Sequence, residues 1–455
     1  MNYLNTASFQ DDTMGGYTDQ TIRANRVNPE LYDKYQVKRG LRDLDGRGVL
    51  VGLTEIGEVH SYIVDENELI PVPGRLLYRG IDINDLTAGF LKESRHGFEE
   101  TAYLLLLGTL PTVSQLTEFK QMLAEYQSLP DFFTRDMILH APGKDLMNIL
   151  ARTVLALYSY DDNADDISIS NVLRQCIRLI ACFPSLSAHA YQAFTHYYES
   201  NSLCVHHPQP DLDIAENILY MLRPDCSFTP LEASILDLLL VLHAEHGGGN
   251  NSSFVTHVVS SSGTDTYAVM AAALGSLKGP RHGGANIKVV QMIDDMKQEI
   301  RHWDDDEEIS QYLLRLINRE GFDKTGLIYG FGHAVYSVSD PRAVILKNQA
   351  HKLAQEKSAE DEFRLYQKVE ELAPQVIGKV RRIYKGVSAN IDLYSGFVYS
   401  MLNIPRPMYT PLFAIARIVG WSAHRIEELV NEGKIIRPAY KSIAPHRGYI
   451  SLNNR

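Results

Sequence analysis

Leu231-Glu232-Ala233-Ser234-Ile235-Leu236-Asp237-Leu238-Leu239-Leu240-Val241-Leu242-His243-Ala244-Glu245-His246-Gly247-Gly248-Gly249-Asn250 starts with apolar residues at helical spacing and ends in histidines and glycines. The spacing from Leu231 to His243 predicts a helix, so the polar cluster falls at its end. His243 and His246 are one helical turn apart. Two imidazoles so spaced can share a cation, yet a full site needs further ligands and groups that orient them. The plainer alternative is a polar helix end held by hydrogen bonds. The glycines after His246 let the backbone turn sharply and come close to a ligand.

The same helical spacing recurs in Phe98 to Leu107, Leu146 to Tyr158, Val172 to Cys182, Ile214 to Leu222 and Tyr267 to Leu277. Pro111, Pro142, Pro184, Pro224, Pro230 and Pro280 are expected at helix boundaries, where a missing N–H does little harm. Beta signal is confined to Val49-Leu50-Val51 and His60-Ser61-Tyr62-Ile63-Val64, a small ribbon. Strands do not alternate with helices, which argues against a doubly wound nucleotide-binding fold. The class expected is all-α.

With 455 residues, 45% hydrophobic and 22% charged, the chain has the length for two to three domains and a large core. Its formal net charge of -12 argues against a nucleic-acid partner, which would call for clustered Lys and Arg. Cys176, Cys182, Cys204 and Cys226 lack metal-ligand or disulfide-framework spacing, which suits a reducing compartment. The longest apolar runs, such as Tyr103 to Leu107 and Leu238 to Leu242, fall far short of the roughly 20 residues that span a bilayer. The opening carries Asp11, Asp12 and Asp19 and no basic-then-apolar pattern, so a cytoplasmic location is expected. Residues 1–38 read as a polar arm, ordered against another subunit or simply frayed.

Charge-dense stretches at Lys297 to Arg319 and His351 to Glu371 suggest exposed helices with opposite charges at helical spacing. They mark a smaller domain, 283–395, inserted between the 39–282 and 396–455 parts of a larger helical one.

Four further clusters carry chemistry. Lys278-Gly279-Pro280-Arg281-His282-Gly283-Gly284-Ala285-Asn286 puts His282 near the positive end of the next helix, which favours a neutral ring able to donate one hydrogen bond to an enolate-like oxygen. The alternative is a helix linker capped by its histidine. Gly330-Phe331-Gly332-His333-Ala334-Val335-Tyr336 crowds two glycines on one histidine, and Asp340-Pro341-Arg342-Ala343 follows. Arg342 at a helix start opposes the macrodipole, so a carboxylate ligand is the better explanation of it. Asn390-Ile391-Asp392-Leu393-Tyr394-Ser395-Gly396-Phe397 sets an acid among apolar residues, either a first-turn acid or a desolvated general base. Phe413-Ala414-Ile415-Ala416-Arg417 and Ile435-Ile436-Arg437-Pro438 hold guanidinium groups, which in apolar surroundings usually pair with a carboxylate or phosphate; the alternative for each is an internal salt bridge.

In this order the histidine pair, PRHGGAN, GFGHAVY with DPRA, NIDLYSG, FAIAR and IIRP resemble the motif series of citrate synthases. Arg39-Gly40-Leu41-Arg42-Asp43, Leu77-Tyr78-Arg79-Gly80-Ile81 and Phe98-Glu99-Glu100 extend the resemblance over about residues 39 to 445. It implies a two-domain helical fold that closes over oxaloacetate. It makes Asp392 the base that removes a methyl proton from acetyl-CoA, His282 the hydrogen-bond donor to the thioester oxygen, and His333 the group that polarises the oxaloacetate ketone. His246, Arg342, Arg417 and Arg437 fall on oxaloacetate-binding positions, the last supplied across a homodimer interface. The chemistry implied needs no metal and no redox cofactor. Departures stand beside the match: the family pattern His-x-Asp-His-Glu has Glu245 and Gly247 at its acidic positions here, and Ala334 replaces the arginine that commonly follows GFGH.

Three other readings are open at this stage. A 2-methylcitrate synthase uses propionyl-CoA with the same catalytic positions. A silent family member would bind CoA or a carboxylate without turnover. A metal-binding protein would be built on His243 and His246.

Overall fold

The structure, a computed structural model, describes residues 11–43, 47–65, 68–332, 335–381 and 386–455. Met1–Leu53 and Thr54–Arg455 form two compact units. In the first, the stretch read as an irregular arm contains two helices, α1 (Asp11–Asn25) and α2 (Glu30–Lys34). Residues 15–25 are all exposed, so α1 has no apolar stripe by which periodicity could reveal it. Val49-Leu50-Val51 joins no strand, and Leu50 is 84% exposed, which corrects that half of the expected ribbon. Val51 is likewise 56% exposed, so burial does not hold this stretch in a sheet.

The second unit begins with an antiparallel sheet in the order β1 (Gly57–Asp65), β2 (Glu68–Tyr78), β3 (Ile81–Asp82). The His60 to Val64 expectation falls in β1. Strand β2, which holds Pro71, Pro73 and Gly74, is no part of the expected ribbon. The prolines are tolerated because β3 pairs only with Leu77 and Tyr78, so neither proline has to serve a second neighbouring strand; the Gly74 N–H donates instead to the Ser339 carbonyl at 3.0 Å, and on the β1 side register shifts between His60 and Tyr62.

Helices follow: α3 (Ile83–Lys92), α4 (Phe98–Leu107), α5 (Val113–Tyr126), α6 (Leu146–Leu157), α7 (Ile169–Tyr198), α8 (Ile214–Leu222), α9 (Pro230–His243), α10 (Asn251–Ser260) and α11 (Thr266–Lys278). Then come α12 (Ala285–Glu299), α13 (Asp306–Ile317), α14 (Pro341–Glu356), α15 (Glu360–Arg381), α16 (Ile391–Met401) and α17 (Tyr409–Val430). The starts are specified locally. Thr229 and Glu232 form a capping box around Pro230 at the head of α9, and Asp265, Asp340 and Asn390 cap α11, α14 and α16. Asp237 on α9 accepts the Gly97 and Phe98 N–H groups at 2.7 and 3.0 Å, capping α4 from a distance in sequence.

Pro184 does not end a helix; it lies buried inside α7. A mid-helix proline costs about 3 kcal/mol, and here Cys182, Phe183 and Leu186 bury fully around it as α7 packs on α17, α8 and α5. Burying each large side chain returns about 1.5–3 kcal/mol, enough to carry the helix through. The charge-dense stretches form α13 and α15 with their neighbours, but their ion pairs run mainly between helices: Lys368–Asp306 at 2.7 Å, Lys347–Glu370 at 2.5 Å, and Lys297–Glu362. Helix α17 is the axis of the core. Leu412, Ile415, Ile418, Val419 and Trp421 are at most 1% exposed, packed against α7, α9, α10 and α4. Among the described residues no helix is long and apolar enough to cross a membrane.

Candidate active site

The end of α9 and the middle of α17 meet at His243 and Arg417. His243 is buried, and its Nδ1 lies 2.9 Å from the Leu239 carbonyl, so Nδ1 carries the ring proton. Burial lowers its pKa to about 3 against that hydrogen bond, with Arg342 and Arg417 adding to the effect. Arg417, with no exposed surface, donates from Nε to the His243 carbonyl at 2.7 Å and stacks its guanidinium 4.7 Å from the Phe413 ring centre. Its Nη1 and Nη2 have no hydrogen-bond partner among the described residues. Burial pulls this guanidinium down to about 10 although Glu245 opposes the shift. A buried cation so placed is strongly favourable only with an anion against it. Two guanidinium groups acting on His243 also disfavour a metal cation there.

Arg342 stands in the first turn of α14. Its Nε and Nη2 bind both oxygens of Asp340, at 3.0 and 2.8 Å, while Asp340 Oδ1 also accepts the Arg342 N–H at 3.0 Å. An internal carboxylate therefore answers part of what the sequence reading assigned to a ligand. Burial pulls against the Arg342 charge, yet Asp340 holds its pKa above the usual arginine value. The Tyr336 ring lies between Arg342, 6.0 Å from its centroid, and His246, whose ring is 5.5 Å away and nearly perpendicular.

Asp340 also accepts the Ile391 N–H at 3.3 Å, which ties α14 to the head of α16. There Asn390 caps the Asp392 N–H at 3.0 Å. Burial raises the Asp392 carboxyl to about 6, with Arg342 opposing and Asp340 reinforcing the shift. The glycine loop is strapped to the same segment: Asn390 N–H donates to the Gly330 carbonyl at 2.9 Å and Gly332 N–H to the Ser388 carbonyl at 3.1 Å. Close approach at Gly330 is to Leu393 and Val289. His333 lies outside the described residues.

His282 sits in the loop between α11 and α12. Its Nε2 is 3.0 Å from Ser252 Oγ, which accepts the Trp421 indole N–H at 3.0 Å. While the oxygen accepts from the indole, the serine O–H can donate to His282 Nε2, an arrangement that puts the imidazole proton on Nδ1. Burial lowers His282 to about 4, with Arg417 adding to the effect, and the ring stays neutral. Ser252 carried no signal in the sequence.

Gly247 has φ +81°, a conformation that puts glycine after His246. It replaces the family acid without leaving a gap, because Glu245 bends to accept the Gly247 N–H and meets His424 Nε2 at 2.9 Å. Gly420 on α17 makes room for this carboxylate: a Cβ there would lie 2.3 Å from Glu245 Oε2 and 2.5 Å from the Ala244 carbonyl. Gly420→Ala is expected to cost about 1–3 kcal/mol, read as a lower Tm; an unchanged melt would contradict this packing.

Arg437 is exposed on the segment after α17 and is not gathered with the others within the chain. Residues 41–439 match the family described as "Citrate synthase, C-terminal domain". The chain belongs to the citrate synthase family. It is 36% identical over 389 residues to the citrate synthase of Synechocystis, covering 84% of this chain and 88% of that one. It is 31% identical over 382 residues to the 2-methylcitrate synthase of Shewanella oneidensis, covering 84% and 92%. Among solved structures, citrate synthase from the archaeon Thermoplasma acidophilum, in ternary complex with carboxymethyl coenzyme A and oxaloacetate, matches at TM-score 0.75 and 25% identity over 92% of this chain and 99% of that one. A citrate synthase family enzyme thus carries its motif residues here at the ends of α9, α14 and α16 and in the middle of α17, with Glu245 engaged by His424 where the family commonly has aspartate.

Proposed function

We propose that this enzyme is a citrate synthase, condensing acetyl-CoA with oxaloacetate and water to give citrate and CoA. The observation that carries the reading is Arg417, a fully buried guanidinium whose two Nη groups have no partner among the described residues. With Arg342 and His246 it forms an anion site suited to a dicarboxylate. Asp392, raised to about 6, acts as the base on the thioester methyl group. Neutral His282, its proton on Nδ1, donates to the thioester oxygen as the enolate forms, which lowers the barrier to a proton transfer that a carboxylate could not make alone. His333 polarises the ketone, and hydrolysis of the citryl thioester releases CoA.

Residues 283–395 act as a small domain closing on 39–282 and 396–455, which shields the enolate from water. The enzyme works in the cytoplasm as a homodimer, with Arg437 delivered to the partner's site. The exposed tail supports this: Ile435, Tyr440 and Tyr449 are 65%, 96% and 86% exposed, apolar surface for a second copy to cover.

Oxaloacetate-dependent CoA release with acetyl-CoA and propionyl-CoA in parallel tests the assignment. An apolar pocket separates the two thioesters by about 1–3 kcal/mol per methylene, so acetyl-CoA is expected to be preferred by at least about tenfold in kcat/KM. A propionyl-CoA preference would make the enzyme a 2-methylcitrate synthase.

A further inference from the structure

Beside Arg417 lies a chain of titratable groups that the proposed reaction does not use, Glu245 and His424 buried and His257, Glu427 and Glu428 half-buried. Glu245 Oε1 meets His424 Nε2 at 2.9 Å, His424 Nδ1 meets His257 Nε2 at 3.1 Å, and His257 Nδ1 meets Glu428 Oε2 at 2.8 Å. Glu427 Oε2 stands 3.8 Å from His424 Nδ1. Each of the three short contacts needs one hydrogen, and carboxylates bring none. Three hydrogens on two imidazoles make one imidazolium, held mainly on His424, which has no exposed surface and faces Glu245 and Glu427.

On its other side Glu245 faces Arg417. Glu245 Oε2 has no hydrogen-bond partner among the described residues, and neither have Arg417 Nη1 and Nη2. A Glu245 released from His424 would be an anion already acting on the guanidinium that the substrate needs. We propose that His424 is a positioning residue for the anion site: as an imidazolium bridging Glu245 and His257, it keeps the Glu245 carboxylate from occupying Arg417 and so sets the affinity for the dicarboxylate. This rests on the reading of Arg417 as an oxaloacetate ligand.

The proton is durable. Burial acts to remove it, but Glu245 and then Glu427 hold His424 up at about 9, while burial and the His424 charge lower His257. A raised histidine pKa keeps the clamp fully formed at and below neutrality and loses it as pH rises through about 9. Oxaloacetate affinity should therefore weaken above that pH. The facing groups are Glu245 after α9, His257 on α10, and Glu427, Glu428 and Arg417 on α17 itself.

Steady-state kinetics and oxaloacetate calorimetry on the wild type, His424→Gln and the double variant Glu245→Gln/His424→Gln test the proposal. His424→Gln keeps a donor toward Glu245 but loses the charge. It should raise oxaloacetate KM and Kd about tenfold, the equivalent of about 1.4 kcal/mol, leave kcat within about threefold, and abolish the weakening above pH 9. The double variant, lacking the competing carboxylate, should recover most of the affinity. Unchanged KM and Kd in His424→Gln, or no recovery in the double variant, would overturn the proposal. So would one equivalent of tightly bound metal on His257, His424 and Glu427 in the purified protein. If His424→Gln fails to fold, His257→Asn, which removes the acceptor of the shared proton, should give the same rise in Kd, and an unchanged Kd would count against the clamp. CoA release from neither thioester by the wild type would refute the proposed reaction, while calorimetry would still report on His424.

Discussion

Asp392→Asn is expected to lower kcat for CoA release by about 10³-fold, the middle of the range for removing a general base, with little change in oxaloacetate KM. The amide keeps the shape and the place beneath the Asn390 cap but cannot take a proton. The same variant should melt no lower than the wild type at neutral pH. A carboxyl whose pKa rises from 3.8 to about 6 on folding is penalised when ionised; the penalty is absent below 3.8, grows with pH up to about 6 and persists above it, and the amide escapes it. In the wild type the base must be ionised, so kcat/KM should climb as pH rises through about 6 and then level off. His282, lowered to about 4, stays neutral over that range and adds no second limb. An Asn variant with near-normal turnover, or a profile flat from pH 5 to 8, would remove Asp392 from the mechanism.

Arg417→Met should reduce kcat/KM for oxaloacetate by about 10³-fold, in line with the 2–5 kcal/mol or more that follows loss of one partner from a buried charge pair. Its Tm should move by only a few degrees. The methionine fills much of the space, the lost Nε bond to His243 is worth about 1 kcal/mol, and a buried guanidinium with two unpartnered Nη groups contributes little to the unliganded fold. Large losses in both affinity and Tm would instead make Arg417 a structural cation. Oxaloacetate should raise the Tm of the wild type and not of the variant, by mass action.

Helices α4 and α8 were legible to the residue from apolar spacing: Phe98 and Ile214 start runs that stay buried almost throughout. The proline rule failed at Pro184 and in β2 for one reason. A local penalty of a few kcal/mol is overridden by long-range packing in α7 and goes unexpressed in β2, where the prolines lack a second neighbouring strand. At the site, residue types were legible and partners were not. Arg417 and Asp392 stood out as charges in apolar company, but Ser252, His257 and His424 are polar residues on helices with no local mark. His424 meets Glu245 across 179 positions of sequence. Arg342 shows the opposite limit: its carboxylate was two residues away, in the same quoted motif, and was attributed to a ligand.

Asp340 ties together two segments of the site that lie far apart in the chain, the head of α14 and the head of α16. One carboxylate starts α14, holds the Arg342 guanidinium and accepts the first N–H of α16, just before Asp392. Loss of those oxygens would free Arg342 and the head of α16, the proposed anion ligand and the segment of the proposed base, in the same event. Positions 340, 342 and 391–392 therefore cannot drift independently over evolutionary time: a shorter, longer or neutral side chain at 340 has to be answered at both of the others at once.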